Sequence, residues 1–224
     1  MQLPANHRQF ESEITGLQGE RGVLSDTVRI ITSMASSGGD RNSVIDDING
    51  VQADVGRART AIGEFYDLLA IVTNKLTGGS GYEARITTGT RAQPAWENLE
   101  IAWENMELAT GNVETGLRKV LDQVGRALPK ENEEAEAAHL NLQAAVDAIQ
   151  EIRSELRKAI VEPEQGQIYW LNSQQNDTVI TVNAAPLRVG PILQEELFAR
   201  ERSVVLTSGT LSTGDGFERL RTAV

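Results

Sequence analysis

Four long apolar stripes, each advancing by alternating steps of three and four residues, constrain the fold of this chain more than any other feature. The second stripe is the cleanest: Val44, Ile48, Val51, Val55, Ala58, Ile62, Phe65, Leu69, Val72 and Leu76 follow one another without a miss, behind Ser43 and Asp46 as a capping pair. The first runs Phe10, Ile14, Leu17, Leu24, Val28, Ile31, with one slot taken by Arg21. The third runs Trp96, Leu99, Trp103, Met106, Thr110, Val113, Leu117, Val120, Val124 behind Pro94, a residue suited to a first helical turn. The fourth runs Leu142, Ala145, Ile149, Ile152, Leu156, Ile160, and Glu131, Glu133 and Glu134 precede it with charges that favour a helix start. A stripe of roughly 30 residues makes about 45 Å of helix, and one apolar seam on a lone helix must be buried against others. The expected fold is therefore mainly α, with an antiparallel four-helix bundle of heptad type at its centre.

The breaks agree with this. Ser36 to Asp40, Thr77 to Gly81 and the turn around Pro129 are rich in turn-forming residues. Ala84 to Arg91 reads as a short extended segment between the second and third helices. Gly50, Gly56 and Gly63 inside the second helix each cost about 1 kcal/mol relative to alanine, so local irregularity is expected there.

After Pro163 the pattern changes, which divides the chain into a helical part, 1–163, and a second part, 164–224. Ile168 to Leu171 and Val179 to Val182 read as strands joined through residues 172–177. A helix is expected after Pro191, then a short apolar strand at Val204 to Leu206, then a helix from Phe217. This alternation is an α/β pattern too short to cover both faces of a sheet, so the second part reads as an incomplete piece of a larger domain.

Composition narrows the function classes. The formal net charge of −11 and the isoelectric point near 4.7 argue against binding nucleic acid or anionic lipid through overall charge. With no cysteine, the chain holds no disulfide, thiolate metal site or iron–sulfur ligand. No signal-peptide pattern opens the sequence and no apolar run approaches the roughly 20 residues that span a bilayer, so a soluble protein is expected; the lack of cysteine fits a cytoplasmic setting, and the fragment is expected to be monomeric.

Candidate chemistry is sparse. The hydroxyls of Thr207, Ser208 and Thr210 gather at the carboxyl end of the Val204 to Leu206 strand, where open α/β sheets place ligands; on residue types alone, a polar strand-to-helix turn capped by Ser212 or Thr213 is the simpler reading. Gly214-Asp215-Gly216 lacks the lysine and spacing of a phosphate loop. His7 and His139 stand far apart on polar stretches and read as solvated. The run Glu131, Glu133, Glu134, Glu136 reads as a solvated helix start. Trp96 and Trp103 lie on one seam and read as core, with base stacking the minority reading. Arg85 and Arg91 read as surface ion-pair partners, with phosphate contact the alternative.

Two segments taken together carry a resemblance. Val179-Ile180-Thr181-Val182-Asn183-Ala184-Ala185-Pro186-Leu187-Arg188-Val189-Gly190-Pro191-Ile192-Leu193, followed by Ser203-Val204-Val205-Leu206-Thr207-Ser208-Gly209-Thr210-Leu211-Ser212, resembles in order and spacing a piece of the DinG/XPD family of superfamily-two DNA helicases. That family has an Ala-Pro-Leu-x-Val strand exit and a later Thr-Ser-Ala-Thr-Leu motif, the third helicase motif. It also carries a helical insertion, the arch, directly before this segment, where Phe10 to Ile160 would fall by position and helical character.

The resemblance implies an ATP-driven, magnesium-dependent motor that unwinds DNA from 5′ to 3′ in repair or replication, with single-stranded DNA passing beneath the arch. It further implies that Ser208 and Thr210 are the motif hydroxyls that couple nucleotide state to strand grip. Gly209 replaces the family's alanine and loosens that turn. The Walker lysine loop, the Asp-Glu-Ala-His box, the iron–sulfur cysteines and the second motor domain have no counterpart in these residues. The expected protein is thus a fragment comprising the arch and the edge of the motor domain that hosts it, inactive alone and partnered by the remaining motor domains. The competing expectation is a non-enzymatic four-helix scaffold with a small α/β appendage.

Overall fold

Buried apolar residues at helical spacing turn the stripes into rods. The computed structural model describes residues 7–34, 38–78, 83–127, 132–174, 177–201, 203–205 and 207. Among them the order is α1 (His7–Gly16), α2 (Val23–Met34), α3 (Gly38–Thr77), β1 (Glu83–Ile86), α4 (Thr88–Arg91), α5 (Pro94–Ala127), α6 (Glu133–Ile160), β2 (Gln167–Gln174), β3 (Asp177–Pro186) and α7 (Gly190–Leu193), which runs into a π-helical turn, Gln194–Phe198. The protein is mainly helical, with one small antiparallel three-stranded sheet.

The first stripe corrects the expectation of one continuous helix. The chain leaves the helix between Gly16 and Val23, where Gly19 takes a φ of 100°, a conformation that costs glycine little. The slot that Arg21 occupies in the stripe belongs to this break. Leu17 stays buried, and the Gln18 side-chain amide donates to the Gln52 carbonyl on α3 at 2.8 Å, so the break is docked rather than loose.

α3 is the converse case. Gly50, Gly56 and Gly63 were expected to disturb it, yet the helix is continuous from Gly38 to Thr77. Val51, Val55, Ala58, Ile62 and Phe65 are buried along its other side, and the space beside all three glycines is open. Tertiary packing outweighs their low propensity.

Side-chain contacts set the helix directions. Asp47 on α3 meets Lys119 on α5 at 2.7 Å, and Phe65 meets Trp103 edge-on with ring centres 6.0 Å apart, so α3 and α5 run antiparallel. On the next pair Glu107 meets Arg157 and Arg118 meets Gln150, so α5 and α6 are also antiparallel. α1 and α2 each pack against both α3 and α6. His7 stacks on Tyr66 with ring centres 4.7 Å apart, and Tyr66 meets Phe65 edge-on at 5.1 Å.

The sheet has the order β1-β2-β3, not the parallel arrangement that an α/β pattern implies. Ala84 pairs with Leu171 and Ile86 with Tyr169, and all four are buried. Ile180, Val182 and Ala184 bury the matching alternate positions of β3. The expected extended segment ends at Ile86, because Thr87 caps the helical turn α4.

The chain forms two compact units. The first comprises Met1–Pro163 with Tyr169–Ala184, so the middle of the β2–β3 pair packs with the helices. The second comprises Glu164–Ile168 and Ala185–Val224. In it the Leu187 amide donates to the Gly166 carbonyl at 2.6 Å, and Arg200 meets Glu196 at 2.8 Å. The helix expected after Pro191 is a single turn, α7, continued by the π-helical turn. The strand expected at Val204 to Leu206 is not seen at its described positions: Val204 and Val205 lie outside regular structure, and Val205 is 85% exposed.

Candidate functional site

The connection from β1 into α5 is a tightly hydrogen-bonded polar region of the first unit. Thr87 Oγ1 accepts from the Thr90 amide at 3.1 Å, while Thr90 Oγ1 accepts from the Thr87 amide at 3.2 Å, a reciprocal cap made by two threonines. The buried Thr90 hydroxyl lies 3.2 Å from the Arg85 carbonyl, to which it can donate. This cap aims Arg91 at the end of α6, where its guanidinium donates to the carbonyl of Ile160 and, at 2.5 Å, to that of Ala159. The same guanidinium lies 5.3 Å from the centre of the Trp96 ring. Burial lowers the Arg91 pKa, with Glu100 and Tyr169 opposing that shift. Arg91 is thus a structural tie, not the surface ion-pair partner or phosphate contact expected from sequence.

Arg85 behaves differently. It is exposed and pairs across the β1–β2 ladder with Trp170, which is half-buried. Because Ala84, Ile86, Tyr169 and Leu171 point into the core, Arg85 and Trp170 stand on the opposite face of the sheet.

A second polar feature follows the α5–α6 seam. Arg153 pairs with Glu114, Arg157 pairs with Glu107, and Arg118 reaches both Glu114 at 3.0 Å and Gln150 at 2.8 Å. Gly111 makes room for this crossing, since a Cβ there would lie 3.1 Å from Arg153 Nη2. An open cleft of about 440 Å³ lies alongside, lined by Glu104, Glu107, Asn112, Glu114, Thr115 and Arg153 among others. Glu107 and Glu114 are engaged by arginines, which does not single out either as a general acid or base. Among the described residues, no group of three or more His, Cys, Asp or Glu side chains could hold a metal ion.

Ser208, Gly209, Thr210 and the Gly214-Asp215-Gly216 turn lie outside the described residues, as do Ser212, Thr213 and Glu131. Thr207 is exposed. Trp96 and Trp103 are fully buried, in the core as expected. Glu133, Glu134 and Glu136 are exposed at the start of α6, where Asn132 caps the helix by accepting from the Glu134 and Ala135 amides at 2.9 and 3.1 Å. The histidines are half-buried rather than solvated: His7 stacks on Tyr66, and His139 Cε1 lies 3.6 Å from where a Cβ on Gly125 would stand. The threonine cap escaped the sequence reading because its box carries threonine where glutamate or glutamine is usual.

Among the described residues, no helix is long and apolar enough to cross a membrane. No protein-family model matches the chain, and no curated protein matches it either.

Proposed function

We propose that this chain is the arch and adjoining motor-domain edge of a DinG/XPD-like ATP-dependent DNA helicase, acting in the cytoplasm on single-stranded DNA in repair or replication. The observation that carries this reading is the character of the second unit. Leu187, Val189, Ile192 and Val205 are 61%, 52%, 44% and 85% exposed, and among the described residues no buried core residue falls in this unit. Exposed apolar side chains from Leu187 onward, with no core around them among the described residues, call for covering protein, which the rest of a motor domain would supply.

The helical unit supports the same reading. α1 and α2 pack on α3 and α6, α3 on α5, and α5 on α6, which we read as an antiparallel four-helix bundle with its first rod broken. His7 lies level with Tyr66, the neighbouring Phe65 with Trp103, and Arg157 with Glu107, so the helical body is entered and left at one end. An insertion into another domain needs that geometry. On this reading Ser208 and Thr210 couple nucleotide state to strand grip, while ATP and magnesium are held mostly by residues of the parent outside this chain.

The purified chain is then expected to hydrolyse no ATP, with or without DNA, and turnover by it overturns the proposal. Reading the coding sequence on both sides should reveal the Walker loop and the Asp-Glu-Ala-His box before the helices and the second motor domain after Val224. The continuous helical core favours a second reading, a non-enzymatic scaffold. Natural start and stop codons at Met1 and Val224 would decide for it.

A further inference from the structure

We infer that the outer face of the β1–β2 pair contacts single-stranded nucleic acid directly, one base stacking on Trp170 and a neighbouring phosphate meeting Arg85. This rests on the single-stranded DNA reading above and names the surface that would do the work.

Trp96 and Trp103 are sealed in the core, whereas Trp170 is only half-buried. Its partner across the ladder is the exposed Arg85, and directly opposed Cβ atoms of an antiparallel pair stand about 4.5–5.5 Å apart. Among the described residues, neither side chain makes a hydrogen bond, ion pair or ring contact. Arg91, by contrast, is spent on Ala159, Ile160 and Trp96. An aromatic face beside an uncommitted guanidinium is the minimum that single-strand binding requires, a stacking platform with a cation at phosphate distance. The backbone under it is fixed, because the opposite side chains of the same strands are core.

Glu83 sets the strength. It pairs with Asn172 on this same face, two residues from Arg85, and its exposed carboxylate repels phosphate. The contact is therefore weak in isolation and serves to orient a strand held elsewhere.

The test uses the whole chain and a 20-nucleotide oligo-dT at low salt, about 50 mM, followed by tryptophan fluorescence and by anisotropy of a labelled oligonucleotide. Binding should quench Trp170 emission. Trp170→Ala should weaken binding about tenfold and Trp170→Phe far less, since loss of one stacked base has about that effect. Arg85→Ala, a change at an exposed position, should weaken binding severalfold and flatten the logarithmic salt dependence by about 0.7. Glu83→Gln should tighten it. If the wild-type chain binds oligo-dT and Trp170→Ala and Arg85→Ala bind equally well, this face is wrong and the single-stranded DNA reading stands. If the wild-type chain binds no oligonucleotide, or prefers duplex of the same length, the inference falls; the helicase reading is then judged separately by the motifs flanking the coding sequence.

Discussion

Arg91 donates from Nη2 to the carbonyl oxygen of Ala159 at 2.5 Å, joining the turn after β1 to the last turn of a helix that ends 69 residues later, at Ile160. The carbonyls of a helix C-terminus lack intrahelical partners and carry partial negative charge, so a guanidinium is well matched to them. Removing it by Arg91→Ala should cost about 1.5–3 kcal/mol in chemical denaturation, the usual range for hydrogen bonds to a charged group. Arg91→Lys should recover part of that, because one ammonium cannot serve both carbonyls in the same fork geometry. An unchanged denaturation midpoint for Arg91→Ala would refute this role.

Two glycines on neighbouring helices should respond in opposite directions to the same substitution. Gly56 on α3 is exposed with open space around it, so Gly56→Ala should stabilise by about 0.5–1 kcal/mol. Gly116 on α5 faces α3, and a Cβ there would stand 2.5 Å from Cγ2 of Val51, a stiff buried side chain. Gly116→Ala should destabilise by about 1–3 kcal/mol. Thermal melts of the two variants side by side give the comparison.

Asp47 should give the α3–α5 seam an acid-sensitive component. The hydrogen bond from Lys119 Nζ holds its carboxyl below the ordinary carboxylate value, helped by Gln123 and opposed by slight burial. A carboxylate with a depressed folded-state pKa adds stability that is complete above the unfolded-state value and lost as pH falls through the folded-state value. The stability difference between wild type and Asp47→Asn should therefore be constant from pH 7 to about pH 5 and shrink below about pH 4. The effect should be small and weaken with salt, since Lys119 is largely exposed. A difference that grows on acidification would contradict the assignment.

The exposed apolar residues of the second unit should govern association rather than folding. Leu187→Ser combined with Val189→Ser should reduce binding of a hydrophobic dye and concentration-dependent light scattering. The melting of the helical unit should stay within about 0.5 kcal/mol of wild type. A large fall in stability would show that these side chains are already covered in solution.

Much of the helical architecture could be read from spacing alone, because a seam such as Val44 to Val72 leaves one way to hide its apolar edge. The glycines defeated that reading twice. At Gly19 a positive φ ends a helix that periodicity would have carried through, whereas at Gly50, Gly56 and Gly63 packing on the far side holds the helix where propensity argued against it. Local preference and tertiary packing compete at each such site, and a single sequence does not display their balance. The sheet was legible as strands but not as a topology, since the register that pairs Ala84 with Leu171 spans a separation of 87 residues, from 84 to 171. The Trp170 and Arg85 pair was invisible for the same reason: the residues lie far apart until that register is known.

The break at Gly19 also sets an order of events. α3, α5 and α6 follow one another closely and dock as successive hairpins, each closing over a short connection. α1 and α2, besides packing on α3, must find α6 across roughly a hundred intervening residues, a slower closure. The split rod should zip last and open first, in two steps rather than one. Amide exchange should accordingly be fastest through α1 and α2 and slowest around Phe65 and Trp103, making the amino-terminal rod a clasp on an already assembled hairpin pair.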